Sequence, residues 1–487
     1  LLFGLAPGAR LSAQTALSTP ALALVPAVGG IILGLTILVV RRYRSRAPVD
    51  PMEANAVHGG KMSLRESLVV TAQTVLSSGF GASVGLEAGY TQLSSALASW
   101  LGGNLRLRRN EVRLLVGCGA AAAIAAAFDA PFTGVFYAFE LIIGVYSAAM
   151  LAPVLAAALF ASFLTRGVGG EQFPLVTGAV PLLSAGDVVP FLSLGVLCAV
   201  VSIAIMVAVA WIERGFAALR MPPPVRPVFG GLAVGAMALL SPAVLSTGHG
   251  ALNSPWLVGS GLVTIGLLFL LKALASAISL GAGFRGGLFF ASLLMGALFG
   301  RLYGGLLVDA GLAPHFDIQL ATVVGMASLA AGIVGGPLTM TFLVLEGTGD
   351  LAISAAVMVA ATIAALLVRE MFGYSFSTWR LHLRGENILA PHDVGRVRNL
   401  TVERLMRADV ATIGQRTTLA EFRRAFPLGS TKRVVVTDAN GRYVGIVLVA
   451  DAYQPRPAEA ADEGIEALLR YRDQFLLPRL NVADAAK

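Results

Sequence analysis

Five long stretches without a single Asp, Glu, Lys or Arg constrain this chain more than any other feature. Each exceeds the roughly 18 to 20 apolar residues that cross a bilayer core, and the stretch 227–271 is long enough for two crossings. The stretches are 11–40, 141–165, 188–212, 227–271 and 318–345. Hydrophobic residues make up 56% of the chain and charged residues 13%, against about 45–50% and about 25% in soluble domains. The sequence therefore predicts a multi-pass membrane protein.

The cysteines and the charge pattern exclude two other classes of site. Cys118 and Cys198 each lie inside an apolar run, far from another thiol, so we expect neither a disulfide framework nor a cysteine metal site. The formal net charge of +8 comes mostly from arginines at the ends of apolar runs, as at 41–46 and 106–109. Such flanks are typical of cytoplasmic loops and lipid headgroup contacts, and they favour a bilayer partner over nucleic acid.

The composition divides the chain into a membrane part, residues 1–385, and a part with ordinary soluble composition, residues 395–487. The prolines of 222–227 separate the membrane part into halves of about 20–220 and 228–385. The chain begins inside an apolar segment without a Met. We expect that it lacks part of its N-terminus and that it also stops short at its C-terminus.

The two halves carry the same sequence pattern. PFTGVFYAFE at Pro131 and PLTMTFLVLE at Pro337 share a Pro, a Thr two residues later, a Phe five later and a Glu nine later. Upstream, GASVGLEAGYTQ at 81–92 matches a segment opening GAGFRGGLFFAS at 281–292. A duplicated membrane domain with glycine-interrupted segments at equivalent positions is typical of secondary transporters and related channels.

Both interrupted segments place glycines directly before a helix-forming run. Glycine lets the backbone leave a helix, and the next helix then begins inside the membrane with free N–H groups and partial positive charge. Such a terminus attracts an anion. Close helix packing is the alternative use of these glycines. Their occurrence at equivalent positions in both halves favours an anion site.

Glu87 is the one charged residue between Glu66 and Arg106. A carboxylate within the membrane is costly and marks a functional position. At a positive helix terminus it can occupy the place of an anion and leave when protonated, so Glu87 is the candidate gate or proton carrier. Glu140 and Glu346 suit a structural role as well as a functional one.

At these residues the chain resembles the CLC family of chloride channels and proton/chloride antiporters. GLEAGYTQ is similar to the family's G-K/R-E-G-P motif, GGLFFA to G-x-F-x-P, and GGPLTMTFLVLE to the stretch before its last membrane helices. The resemblance covers about residues 40–450. It implies an all-α polytopic membrane protein with inverted repeats of tilted, broken helices, which forms a homodimer in a bacterial inner membrane.

The resemblance also implies roles for particular residues. Glu87 would be the gate, Tyr374 would direct its hydroxyl at the central anion, and backbone groups would line the anion path. The implied anion-binding positions are Pro48, Val49, Leu86, Glu87, Ala88, Leu288, Phe289, Phe290 and Tyr374. The transported ligand would be chloride, with no catalytic residue, metal or resident cofactor.

Departures from the family pattern affect the choice of anion and of mechanism. Pro48 stands at the family's serine, which removes a hydroxyl and keeps nitrate open as a substrate, beside fluoride. Asp50 before Pro51 predicts an N-cap whose charge competes with an anion. Leu141 replaces the internal proton-transfer glutamate, which favours passive conduction over proton-coupled antiport. Ala291 replaces a proline after Phe289, and we expect this change to alter helix geometry more than chemistry.

The tail predicts a small α/β module. Asn440-Gly441 between two Val-rich runs indicates a hairpin. The segment 400–451 resembles one CBS repeat, a cytoplasmic regulatory module that works in pairs. Asp451 stands where such a module binds the ribose of an adenine nucleotide, whereas Leu448 replaces a Thr or Ser. A structural or dimer-forming role is the alternative to nucleotide binding.

Two other classes of function fit less well. An intramembrane enzyme with Glu87 as its acid needs a partner, and His58, His249 and Asp129 form no convincing pair with it. A membrane sensor that signals through the tail lacks an output, because the tail has no kinase or cyclase motif. Transport of anions across the membrane remains the leading interpretation.

Overall fold

The structure is a computed structural model. It describes residues 11–43, 48–168, 185–252, 254, 259–384, 402–406, 409–454, 464–472 and 476–477. The chain forms two compact units, Leu1–Val394 and Gly395–Lys487.

The first unit is a bundle of helices of very unequal length. Its α-helices are α1 Val25–Tyr43, α2 Pro51–Val57, α3 Leu64–Gly79, α4 Glu87–Asn104, α5 Arg109–Phe128, α6 Pro131–Tyr137, α7 Ala148–Gly167, α8 Val188–Ala218, α9 Arg226–Leu240, α10 His249–Leu252, α11 Leu262–Gly281, α12 Phe289–Asp309, α13 Ile318–Val334, α14 Pro337–Thr348, α15 Leu351–Met371 and α16 Phe376–Leu383. Short 3-10 turns at Leu11–Ala13, Pro20–Leu24, Ala185–Asp187 and Pro242–Val244 and a π-helical turn at Ala138–Ile143 complete it.

Seven helices of the described residues are long and apolar enough to cross a membrane. The prediction of a multi-pass chain is therefore confirmed. The stretch 227–271 contains α9 and the first half of α11, as its length predicted. The stretch 318–345 also holds two helices, α13 and most of α14, because Gly335 ends the first in a left-handed conformation and Pro337 begins the second. Hydropathy alone does not show that break.

The helix boundaries follow the sequence repeat. Helices α4 and α12 begin 202 residues apart, at Glu87 and Phe289, and α6 and α14 begin 206 residues apart, at Pro131 and Pro337. The same two offsets relate the matching sequence segments. The duplication inferred from sequence therefore has a counterpart in structure.

Glu140 of the first half caps a helix of the second. Its carboxylate accepts hydrogen bonds from the backbone N–H of Leu338 at 3.0 Å, the N–H of Thr339 at 2.8 Å and the Thr339 hydroxyl at 2.6 Å. These N–H groups belong to the first turn of α14, where a helix has no partners of its own for them. Glu140 thereby satisfies a helix terminus that would otherwise be buried without partners.

Glu346 makes the reciprocal contact. Its carboxylate accepts from the N–H of Phe132 at 2.8 Å, the N–H of Thr133 at 2.8 Å and the Thr133 hydroxyl at 2.7 Å, at the start of α6. Each half therefore supplies a carboxylate to the other. The sequence left the roles of Glu140 and Glu346 open, and this geometry favours the structural one.

Helices α12 and α13 pack at the core of the unit with their backbones in contact. A Cβ atom on Gly296, Gly300 or Gly325 would overlap backbone atoms of the facing helix, so these glycines permit the close approach. Cys118 and Cys198 are both buried and free.

The second unit contains a three-stranded sheet of order β1-β2-β3. Its elements are α17 Val402–Leu405, β1 Thr412–Gly414, α18 Leu419–Ala425, β2 Arg433–Thr437, β3 Tyr443–Leu448, α19 Val449–Ala452 and a 3-10 turn at Ile465–Leu468. Strand β1 is parallel and β3 antiparallel to β2. The hairpin predicted at Asn440-Gly441 is present, with Asp438 bonded to Arg442 across the turn at 2.9 Å. Phe422, Val434, Val436 and Val447 form the buried centre of its core.

Replacing Glu346 with Ala should destabilise the membrane unit by about 1–2 kcal/mol, because the backbone N–H groups of Phe132 and Thr133 at the start of α6 lose the carboxylate that accepts their hydrogen bonds. Thermal unfolding of the purified protein in detergent measures this change. Glu370→Ala removes an exposed carboxylate from the end of α15 and should leave the melting temperature unchanged. Equal melting temperatures for the Glu346 and Glu370 variants would contradict the capping role.

Candidate functional site

The chain leaves helical structure at two glycine-rich breaks, 80–86 between α3 and α4 and 282–288 between α11 and α12. The two breaks are hydrogen-bonded to each other. The N–H of Gly85 donates to the carbonyl of Gly287 at 2.8 Å, and the N–H of Gly287 donates to the carbonyl of Gly85 at 3.1 Å. Helices α4 and α12 begin two residues after these glycines. The N-termini of two helices from different halves therefore meet inside the unit, as the sequence pattern indicated.

Each break needs a backbone conformation that favours glycine. Gly81 and Gly283, which are equivalent in the repeat, have φ angles of +89° and +97°. L-residues with a side chain rarely adopt this region. In each half it lets the chain leave the preceding helix and turn toward the next helix N-terminus.

Glu87 is the first residue of α4, and its side chain reaches the N-terminus of α12. Its Oε1 atom accepts a hydrogen bond from the N–H of Phe290 at 3.0 Å. The residue is only 3% exposed, and its Oε2 atom has no hydrogen-bond partner among the described residues. The carboxylate thus occupies a helix terminus suited to an anion, and one of its oxygens is unsatisfied.

Glu87 lines a cavity of about 170 Å³. It brings together four of the predicted anion-path residues, Glu87, Ala88, Leu288 and Phe289. Leu86 precedes α4 at its N-cap position, and the N–H of Phe290 donates to Glu87, but neither residue lines the cavity. Asp50, Tyr137, Leu141, Arg285 and Phe376 also line the cavity.

Of the segment 48–50, only Asp50 lines the Glu87 cavity. The Asp50 side chain accepts from the N–H of Met52 at 2.9 Å, which confirms the predicted N-cap. The carbonyl of Val49 accepts from Nε2 of Gln92 at 2.8 Å, whereas Pro48 lines a second, larger cavity. Asp50 therefore places a carboxylate at this helix terminus, where the family resemblance implied an anion contact.

Tyr374 lies away from the cavity of Glu87. Its hydroxyl is 3.1 Å from Nδ1 of His382, and it lines a separate cavity of about 300 Å³. Phe376 lines the Glu87 cavity instead. The helix begins at Phe376 because Ser375 and Thr378 form a capping box. The anion contact assigned to Tyr374 stays a prediction that this arrangement does not support.

Sequence reasoning missed Tyr137, Phe376 and Arg285. Arg285 had a usable signal, since it is the one charged residue between Lys272 and Arg301, the same criterion that singled out Glu87. Phe376 could have been found from the Ser-x-x-Thr spacing that marks the start of α16. Tyr137 carried no signal beyond its position in the repeated motif.

In the second unit, the Oδ2 atom of Asp451 is 2.8 Å from Nη2 of Arg470. Its assignment to a nucleotide ribose stays a prediction. No group of His, Cys, Asp and Glu side chains in the described part of the chain could hold a metal ion.

Relatives with similar sequences are chloride channel proteins of bacteria. A ClcB-like protein of Ralstonia nicotianae is 34% identical over 338 residues, which cover 67% of this chain and 77% of the relative. The voltage-gated ClC-type chloride channel ClcB of Escherichia coli O81 is 30% identical over 382 residues, covering 77% of this chain and 90% of the relative.

Two of the solved structures with a similar fold are those of antiporters. A slow cyanobacterial Cl⁻/H⁺ antiporter aligns with a TM-score of 0.65 at 22% identity, over 75% of this chain and 87% of that chain. A CLC-type fluoride/proton antiporter aligns with a TM-score of 0.57 at 21% identity, over 72% and 95%. The family profile described as voltage gated chloride channel matches residues 22–369. The chain therefore belongs to the voltage-gated chloride channel family, as its motifs indicated.

Proposed function

We propose that this protein conducts chloride across the membrane as a channel in which Glu87 is the gate. The observation that carries the proposal is the position of the Glu87 carboxylate at the N-terminus of α12, on a single hydrogen bond from Phe290 at 3.0 Å. A chloride ion and a carboxylate compete for the same N–H groups and partial positive charge. The path conducts when the side chain leaves and an anion takes its place.

The anion path in this proposal is lined by the backbone of both breaks. Ala88, Leu288 and Phe289 share the Glu87 cavity, and Leu86 and Phe290 flank it. Backbone N–H groups bind an anion without a full cation in the bilayer, where a free charge is costly. Spherical chloride and fluoride suit such a site, because N–H groups can approach them from any side.

Passive conduction is favoured by Leu141. This residue lines the same cavity as Glu87 and cannot bind a proton. Proton transfer from Glu87 through this position would lack a carrier.

Proton-coupled antiport of chloride, nitrate or fluoride is the second candidate. It is favoured by two of the similar folds, which come from proteins described as proton antiporters. A coupled mechanism would need another route for the proton. Tyr137, whose ring lies 6.0 Å from that of Phe289 in the cavity wall, is the hydroxyl that such a route would use.

The wider organisation follows from the family. We propose inverted repeats, a homodimer with one path per subunit, insertion in a bacterial inner membrane and a cytoplasmic C-terminal unit of the CBS type. The parallel and antiparallel strands and the short helices of the second unit are compatible with that module. An adenine nucleotide at Asp451 would have to replace its contact with Arg470.

Glu87→Gln should raise chloride efflux from liposomes by about tenfold, because the neutral side chain loses a charge-assisted hydrogen bond worth about 1.4 kcal/mol or more. External pH and anion concentration should be recorded together. We expect anion efflux without uphill proton movement in both proteins. Glu370→Gln makes the same substitution at an exposed position and should behave as wild type.

Two results of this experiment would change the conclusion. Uphill proton movement driven by an anion gradient in the wild type, absent in Glu87→Gln, would establish antiport instead of passive conduction. No flux of chloride, nitrate or fluoride through the wild type would refute anion transport.

Gly85→Ala should open the path without altering any charge. A Cβ atom at Gly85 would overlap Oε2 of Glu87, whereas a Cβ atom at Gly287 meets nothing closer than the Ala88 Cβ at 3.6 Å. The two glycines share the same pair of backbone hydrogen bonds, so Gly287→Ala is a matched control. We expect Gly85→Ala to raise chloride efflux as Glu87→Gln does, and Gly287→Ala to leave it near wild type. Equal efflux from the two alanine variants would contradict displacement of the gate.

A further inference from the structure

One loop connects the first glycine-rich break to the helix that follows the second. This bridging loop, residues 245–249, comes after α9 and leads into α10. The N–H of Ser246 in the loop donates to the carbonyl of Gly81 in the first break at 3.2 Å. At the end of the loop, the imidazole ring of His249 stacks on the ring of Phe290 in α12. The bridging loop therefore reaches both segments that meet at the candidate site.

The contact between His249 and Phe290 is close and nearly parallel. The two ring centres lie 3.3 Å apart, with an angle of 14° between the ring planes. Phe128, at the end of α5, is a second near-parallel neighbour of Phe290, with ring centres 6.0 Å apart and planes 10° apart. The Phe290 side chain is fully buried. Flat aromatic surfaces on two other helices therefore determine where this ring lies.

Phe290 is also the residue whose backbone holds the proposed gate. It is the second residue of α12, and its N–H makes the hydrogen bond of 3.0 Å to Oε1 of Glu87. A hydrogen bond weakens steeply when its donor tilts or moves away from the acceptor. The stacked ring and the N–H group belong to the same residue, so a displaced ring also displaces the donor of Glu87.

The bridging loop fixes the position of His249. Oγ1 of Thr247 contacts Nδ1 of the His249 ring. The N–H of the next residue, Gly250, donates to Oγ of Ser12 at 2.9 Å. Gly248 has a φ angle of +93°, and a Cβ atom there would overlap a side chain of α12, so glycine permits the close approach of the loop to that helix. The imidazole is thus held on the chain before it, the chain after it and its own ring nitrogen.

We propose that His249 is a positioning residue of the gate. Its ring, stacked on Phe290, keeps the N–H group of α12 in the direction that binds the Glu87 carboxylate. His249 acts through Phe290 and need not touch the anion. The inference rests on the proposed function of Glu87 as the gate, and it adds a residue that determines how firmly the closed gate is held.

Replacing His249 with Ala removes the ring. Chloride efflux from liposomes that contain the full chain should then rise about fivefold, because the N–H of Phe290 can turn away from the carboxylate. His249→Phe keeps a flat ring on Phe290 and should stay within about twofold of wild type. His315→Ala makes the same substitution at an exposed position between α12 and α13 and should behave as wild type.

A double variant distinguishes positioning of the gate from a general loss of stability. Glu87→Gln and His249→Ala weaken the same hydrogen bond, so their effects on efflux should not multiply. We expect the double variant to stay within about twofold of Glu87→Gln alone. A general defect of the membrane unit would act independently of the carboxylate, and the two effects would then multiply.

His249→Leu makes the test independent of a cavity left by alanine. Leucine fills most of the space of the imidazole but presents no flat face to Phe290, so efflux should rise in the same direction, by about threefold. If His249→Ala aggregates in size-exclusion chromatography, His249→Leu replaces it in the single and the double variant.

The outcomes separate this inference from the proposed function. No chloride flux through the wild type, or equal efflux from wild type and Glu87→Gln, refutes the gate itself. A rise with Glu87→Gln but unchanged efflux with His249→Ala and His249→Leu overturns the positioning role alone. Efflux from His249→Phe as high as that from His249→Ala also overturns it, because a flat ring would then not be sufficient. Multiplied effects in the double variant overturn it as well.

Discussion

One interaction supports the membrane unit: a glutamate of one half accepts hydrogen bonds from a helix N-terminus of the other half. Glu140 and Glu346 do so reciprocally, each with two backbone N–H groups and one threonine hydroxyl. A helix terminus buried away from water needs such partners. The two halves therefore stabilise each other through the very groups that a lone half would leave unsatisfied.

Glu87 uses the same interaction, but asymmetrically. Its repeat equivalent, 202 residues later, is Phe289, so the second half returns no carboxylate to the N-terminus of α4. Glu87 has one bond from Phe290, and its Oε2 atom lacks a partner among the described residues. A carboxylate with three donors is held firmly, whereas a half-satisfied one is released at lower cost. The repeat thus distinguishes a gate from two structural caps of the same residue type.

The sequence predicted what depends on local chemistry. The crossings, the duplicated breaks, the Asp50 cap and the Asn440-Gly441 hairpin follow from hydropathy, glycine position and capping preference. Contacts between distant residues could not be read this way: Thr339 bonds to Glu140 across 199 residues, and Arg285 and Arg380 line the same cavity only in the folded chain. The resemblance implied a role for Tyr374, whereas the part played by Phe376 in lining the Glu87 cavity depends on where the last helix of the unit begins.

A buried lysine stabilises the first break through the loop that follows α9. Lys272 is fully buried, and its Nζ atom donates to the carbonyls of Val244 at 3.0 Å and Ser246 at 2.8 Å. The N–H of Ser246 in turn donates to the carbonyl of Gly81 at 3.2 Å. A lysine in an apolar interior is costly unless carbonyl groups surround it. Its ammonium group is therefore committed to the backbone that shapes the first break, and the N-termini of α4 and α12 supply the partial positive charge that an anion would meet there.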